Sequence, residues 1–149
     1  MKIALASDHA GYDLKQDVIK YLQEKEVRIK DFGCYSKQSV NYADFAEKAV
    51  KQVAAKKYDR AVLICGTGIG MSMAANKFKG IRATLCCDEF MAEMSRLHNN
   101  SNCLTLGGRV LSSEKALGIV EIWLKTEFEG GRHQTRLDKI SEIEEINFK

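Results

Sequence analysis

Reactive residue types are most concentrated in Ile64-Cys65-Gly66-Thr67-Gly68-Ile69-Gly70-Met71-Ser72, where one thiol ends the apolar run Ala61-Val62-Leu63-Ile64 and glycines follow at alternate positions. An apolar run, a Gly-rich turn and a helix-forming segment predict a strand, a loop and a helix N-terminus. Glycine admits backbone angles closed to other residues and lets a ligand approach the main chain, so such a turn can aim several N–H groups at one anion. The positive end of a helix also favours the thiolate of a nearby cysteine. One short loop could therefore hold a base beside a site for developing negative charge, which points to catalysis near an oxyanion. Gly66-x-Gly68-x-Gly70 lacks both the Lys-Ser/Thr ending of a phosphate loop and the spacing of a dinucleotide fingerprint, so nucleotide binding is a poor second reading.

Other polar residues need company to carry meaning. Asp8-His9 can cap the following helix through its backbone, or contact a sugar and a phosphate at a strand's carboxyl end. His98-Asn99 falls at a predicted helix end, where a histidine meets the negative end of the dipole. Arg132 and Arg136 are four apart and share a helical face, able to converge on a phosphate dianion or to lie solvated facing Glu129. Cys86-Cys87, Cys34 and Cys103 are read as strand or near-strand packing. With five cysteines and no C-x-x-C pair, reduced thiols are expected, without zinc or disulfide chemistry.

These residues must be positioned by the rest of the chain. Lys2–Ser7 reads as a buried strand and Tyr12–Lys25 as a helix with Leu14, Val18 and Leu22 on one stripe. Val27–Phe32 is a second strand ended by Gly33. A helix near Asp44–Lys57 turns Ala46, Ala49, Val50 and Val53 inward. After the cysteine loop, a helix from about Met71 to Phe78 precedes Gly80, and Arg82–Cys87 forms strand four. Asp88 caps a helix carrying Met91, Met94 and Leu97 and ending near His98. Asn102–Gly107 is strand five. Ser112-Ser113-Glu114 opens a helix through Trp123 and Leu124, and a last helix, Arg132–Ile146, places Leu137, Ile140 and Ile143 on a stripe.

Strict alternation of strands and helices predicts an α/β fold: a three-layer α/β/α sandwich, Rossmann-like, with a five-stranded parallel sheet and a C-terminal helix. Ligands in such sheets gather beyond the carboxyl ends of the strands, where Asp8-His9, Cys65–Gly70 and Gly108-Arg109 emerge. The 149 residues suit one domain over 1–149, and no linker or repeat divides them. Hydrophobic residues at 45% and charged residues at 29% are ordinary for a soluble protein. No apolar run approaches the ~20 residues that span a bilayer, and the N-terminus lacks a signal-peptide pattern, so no membrane association and a cytoplasmic location are expected. A net charge of +3 with interspersed acids gives no nucleic-acid footprint.

Taken together, Ser7-Asp8-His9-Ala10-Gly11, Ile64–Gly70, Ala74-Ala75-Asn76-Lys77, Arg96-Leu97-His98-Asn99, Gly107-Gly108-Arg109-Val110 and Glu129-Gly130-Gly131-Arg132-His133-Gln134-x-Arg136 resemble the type B ribose-5-phosphate isomerases over nearly the whole chain. The Gly-Gly-Arg-His segment favours that branch over galactose-6-phosphate isomerase subunits. The resemblance implies interconversion of an aldose phosphate and a ketose phosphate, typically ribose 5-phosphate and ribulose 5-phosphate, with no metal or organic cofactor. By similarity, Cys65 is the base moving a proton between C2 and C1, a role taken in another branch by a glutamate further along the loop. Backbone N–H groups of Gly66, Thr67, Gly68, Ile69 and Gly70 would hold the enediolate, and losing one such donor commonly costs about 3 kcal/mol. His98 would open the furanose ring, Asp8 and Thr67 would position hydroxyls, His9, Arg109, Arg132 and Arg136 would hold the phosphate, and Asn99 a sugar oxygen. The sequence departs from the family at Asn100, where an acidic residue is usual, and at Asn41-Tyr42-Ala43, where Asp-Tyr-Pro is usual. Alternatives are a six-carbon sugar phosphate such as allose 6-phosphate or galactose 6-phosphate, or a non-catalytic sugar-phosphate-binding module.

If strand five is parallel to the others, His98 and Asn99 lie at the sheet's amino edge and Cys65 at its carboxyl edge, about 17 Å apart at about 3.3 Å per residue. The helix ending near Thr126 returns Arg132 and Arg136 to the side of His98. A twofold homodimer is therefore expected, each site combining Asp8, His9 and Cys65–Gly70 of one chain with His98, Asn99, Arg132 and Arg136 of its neighbour. Arg109 is assigned to neither side, and pairing of dimers into tetramers is left open.

Overall fold

The computed structural model describes residues 1–148. In chain order the described elements are β1 (Lys2–Ser7), α1 (Tyr12–Gln23), β2 (Arg28–Asp31), α2 (Tyr42–Ala54), β3 (Arg60–Cys65), α3 (Ile69–Ala75), β4 (Ala83–Leu85), α4 (Glu89–Leu97), β5 (Cys103–Gly107), α5 (Ser113–Lys125) and α6 (Arg132–Asn147). The strands form one sheet in the order β2-β1-β3-β5-β4, every neighbouring pair parallel. β3 lies at its centre, buried along its whole length, which suits a strand covered on both faces by helices.

Alternation along the strands divides the core in two. Ile3, Leu5, Val62, Ile64, Leu104 and Leu106 face α1 and α5 through Leu14, Val18, Leu22, Ile119 and Trp123. Ala4, Ala6, Ala61, Leu63 and Cys65 face α2 and α3 through Ala46, Ala49, Val50, Met71 and Ala75. Small side chains on the second face let α2 and α3 sit close to the sheet, and Cys65 is the residue where that face ends.

Several local expectations are corrected. α2 begins at Tyr42, two residues earlier than predicted, because the Asn41 side chain accepts from the Ala43 N–H and caps it. α3 begins at Ile69, directly after Gly68, and stops at Ala75, so Gly80 lies beyond its end. The buried face of α4 is Ala92, Ser95 and Arg96, not the Met91-Met94-Leu97 stripe; Met91 is 40% exposed. An arginine and a serine read as polar in any periodicity count, which moved the expected face. On α6 only His133 and Leu137 are buried, while Ile140, Ile143 and Ile146 are 49%, 51% and 67% exposed. α6 thus presents an apolar stripe that its own chain covers only in part.

Candidate active site

The carboxyl ends of β1, β3 and β5 are tied together by main-chain bonds. Asp8 N–H donates to the Ile64 carbonyl at 3.1 Å, Gly108 N–H to that of Cys65 at 2.7 Å, and Arg109 N–H to that of Gly66 at 2.9 Å. Three loops from three strands are therefore locked around the Cys65 turn. Gly68 takes a φ of 81°, a conformation glycine adopts without penalty. That bend brings its N–H back to the Cys65 sulfur, 3.1 Å away. Cys65 is 4% exposed, so this donor is aimed at a thiol shielded from bulk water. The first N–H groups of any helix lack intrahelical partners. In α3 the Ile69 N–H turns to Thr67 Oγ1 at 3.3 Å, while those of Gly70 and Met71 follow at the helix opening.

Other members of the predicted set fall on the same edge. Asp8 is buried, and its Oδ1 accepts from the Ala10 and Gly11 N–H groups at 2.9 and 3.0 Å. The capping role and the site role coexist, since Oδ2 is not used in those bonds. His9 Nδ1 accepts from Val40 N–H at 3.1 Å, which in the neutral ring places the proton on Nε2 as the free donor. Arg109 belongs to this edge too. Its side chain lies over Gly66, with Cδ and Nη1 at 3.5 and 3.6 Å from where a Cβ would stand.

The glycines of the turn divide their labour. A Cβ on Gly70 would stand 2.6 Å from the Tyr42 ring, so this glycine serves ring packing at the opening of α3 rather than ligand approach. Gly66 meets nothing nearer than Arg109, and it is the one of the three open to a ligand. Tyr42, 41% exposed, is thereby placed at the wall of the site, a position that spacing alone did not reveal.

His98, Asn99, Arg132 and Arg136 lie elsewhere. β3 and β5 are in parallel register, Ala61 opposite Cys103 and Cys65 opposite Gly107, so His98 precedes the amino end of β5 while Cys65 closes the carboxyl end of β3. The start of α6 is fastened on His98's side: Glu129 N–H donates to the Leu97 carbonyl at 3.1 Å, Arg96 Nε donates to the Thr126 carbonyl at 3.2 Å, and the His98 and His133 rings stack at 4.1 Å between centroids. Arg132 and Arg136 are both exposed. Among the described residues neither is ion-paired; Glu129 instead approaches His98 and His133.

Both departures from the family pattern have local work. Asn41 caps α2. Asn100 sits at φ 45°, in the left-handed region where asparagine is favoured among residues with a Cβ, and its Oδ1 accepts from Arg96 Nη1 at 2.9 Å. Asn41 thus shapes the backbone at the opening of α2 and Asn100 the backbone beside His98, neither supplying a charge.

The remaining thiols are buried or remote from any donor cluster. Burial pushes the Cys103 thiol strongly up, and burial chiefly raises that of Cys86. His98, Glu129 and His133 offer ligand atoms within 4.8 Å of one another, but rings inclined by only 14° and stacked face to face hold their nitrogen lone pairs in two separate, nearly parallel planes. A cation cannot lie in both ring planes without one ring turning, so this arrangement does not fit a metal centre.

Comparison with known proteins agrees with the geometry. A family model described as Ribose/Galactose Isomerase matches residues 3–140. A ribose-5-phosphate isomerase B of Escherichia coli is 44% identical over 144 residues, covering 97% of each chain. The solved ribose-5-phosphate isomerase B of Clostridium thermocellum superposes with a TM-score of 0.97 at 49% identity, over 98% of this chain and 99% of that one. The ribose-5-phosphate isomerase B of Mycoplasma genitalium, solved with ribulose-5-phosphate bound, gives a TM-score of 0.93 at 41% identity, over 97% and 96%. With a matching fold and similarity along essentially its full length, this chain belongs to the ribose/galactose isomerase family.

Proposed function

We propose that this protein, as one sugar-phosphate isomerase domain over residues 1–149, interconverts ribose 5-phosphate and ribulose 5-phosphate through an enediolate. The observation that carries the reading is the Gly68 N–H directed at the Cys65 sulfur, 3.1 Å away, at the mouth of a loop with further main-chain donors. In the open-chain aldose, Cys65 takes the C2 hydrogen as a proton. The electron pair spreads over C1, C2 and the carbonyl oxygen, and N–H groups of Gly66–Gly70 accept that charge where they already point. Two amides of the loop are exceptions: the Gly68 N–H serves the sulfur and the Ile69 N–H donates to Thr67 Oγ1. Cys65 then returns the proton to C1 while the O2 proton moves to O1, giving the ketose.

Asp8 and Thr67 orient hydroxyls, and Asn99 holds a sugar oxygen. His9 and Arg109 supply phosphate donors from the thiol edge, and Arg132 and Arg136 supply them from the other edge. His98 acts in ring opening. These two groups of residues meet only if a second copy brings its His98 edge to the first copy's Cys65 edge. A homodimer with shared sites is supported by the parallel register that separates them and by the exposed Ile140-Ile143-Ile146 stripe of α6. The reading puts the enzyme in the non-oxidative interconversion of pentose phosphates, with the cytoplasm as the expected compartment. No described helix is long and apolar enough to cross a membrane.

The test is turnover with five- and six-carbon aldose phosphates, run beside Cys65→Ala. The five-carbon substrate gives the higher kcat/KM, and Cys65→Ala retains substrate binding while kcat falls by about a hundredfold or more. Undiminished turnover in the variant removes Cys65 from its role. Preference for a six-carbon phosphate reassigns the substrate.

A further inference from the structure

Away from the thiol loop, the densest group of titratable side chains is the one that joins α4 to α6. His98 ends α4 and is 37% exposed at its side chain, with Nε2 4.0 Å from Glu129 Oε2. His133, in the first turn of α6, is 5% exposed at its side chain, with Nε2 3.6 Å from the same oxygen. That nitrogen is buried without a hydrogen-bond partner, an uncommon state for a polar atom in a folded protein. The two rings lie flat on each other. Glu129 itself is pinned through its N–H to the Leu97 carbonyl, one residue before His98. One carboxylate oxygen thus stands beside two stacked imidazoles, just beyond hydrogen-bond distance of each in the free chain, with Arg132 and Arg136 as the nearby cations.

A carboxylate beside one nitrogen of a histidine fixes which nitrogen faces the reaction. Here it sits on the Nε2 side of His98. We propose that Glu129 is a positioning residue for ring opening, holding the His98 Nε2–H so that Nδ1 meets the sugar, and that His133 is the flat neutral surface that sets the plane of the His98 ring. The proposal rests on the reading of Cys65 and His98 given above. Protonated His98 gives its Nδ1 proton to the furanose ring oxygen as the C1–O4 bond breaks and its electron pair stays on O4. The anomeric hydroxyl loses its proton to water, and its oxygen forms the carbonyl with C1. His98, still presenting Nε2–H to Glu129, recovers the Nδ1 proton from solvent. Two adjacent imidazolium rings would repel, so only one ring of the stack carries charge. Burial first, then His98 and the two arginines, lower the proton affinity of His133.

Two reactions of the same enzyme separate this role from proton transfer at carbon. Conversion of ribose 5-phosphate begins from a furanose, whereas exchange of a C1 hydrogen of ribulose 5-phosphate with heavy water begins from an acyclic ketose and needs no ring step. Glu129 is 57% exposed at its side chain, so Glu129→Gln is accommodated without repacking. Expected is a fall in kcat with ribose 5-phosphate of about tenfold or more at little change in KM, with C1 exchange unchanged and partial recovery in Glu129→Asp. Nitrogen-15 spectra of His98 should show the Nε2–H tautomer in the wild type and a mixture in Glu129→Gln. Equal losses in both reactions, no loss in either, or an unchanged tautomer overturns the role of Glu129 alone. A wild-type enzyme that performs neither reaction overturns the isomerase reading and this proposal with it.

Discussion

Cys65 differs from the other buried thiols by what faces it, not by its burial. Cys65 and Cys103 both end or begin strands of the same sheet and are both buried. Cys65 receives the Gly68 N–H, whereas burial alone acts on Cys103 and pushes its thiol up. At the same scale, His133 links the fold to pH. Burial first, then His98, lowers its proton affinity below the ordinary 6.5 in the folded chain. The unfolded chain therefore binds a proton that the folded chain resists, and stability falls as pH drops below about 6.5 toward the lower folded value. Above neutrality the contribution is fully present. Replacing His133 by Gln should narrow the difference in thermal midpoint between about pH 7.5 and pH 5.5; an unchanged difference would show that the proton is taken up elsewhere.

At the scale of elements, the opening of α3 depends on α2. The Tyr42 ring occupies the space a side chain at position 70 would need, and Tyr42 is held there because Asn41 caps the helix that carries it. Gly70→Ala should therefore destabilise the protein by about 1–3 kcal/mol through overpacking. Combining it with Tyr42→Ala should recover part of that loss. The check is a double-mutant cycle by denaturant unfolding, and strict additivity would disprove the contact. A similar dependence holds at the far edge, where Arg96 ties Asn100, Ser101 and Thr126 around His98. Arg96 is buried on α4 for that reason, while the buried Ser95 hydroxyl donates to the Ala92 carbonyl within the helix.

Across the whole molecule, the parallel sheet both builds the site and divides it. All strands end at one edge, which gathers Asp8, His9, Cys65–Gly70 and Arg109. The same parallelism sends each helix back to the opposite edge, carrying His98, Asn99, Arg132 and Arg136 with it. A shared-site dimer has a distinctive consequence. Mixing and refolding Cys65→Ala with His98→Asn, each inactive alone, should restore about a quarter of wild-type activity, because half of the dimers are hybrids and one of their two sites is intact. No recovery on mixing would place both residues of each site in one chain.

Much of this was legible in the chain before any coordinates. The alternation of short apolar runs with amphipathic segments determines a parallel α/β/α sandwich, since each run is buried on both faces and each crossover must be long enough for a helix. The motifs around Asp8, Cys65, His98, Arg109 and Arg132 carry the family resemblance. What the tertiary structure decided are relations between residues distant in sequence: the order β2-β1-β3-β5-β4, the bond from Gly68 to the sulfur, the placement of Arg109 over Gly66 and of Tyr42 against Gly70, and the shared approach of His98 and His133 to Glu129. Periodicity reports which side of an element is apolar, and so it misjudged α4, whose buried face is partly polar, and α6, whose isoleucines stay about half exposed or more. Local sequence sets the direction in which each side chain leaves its element. Only the packing of elements sets what it meets.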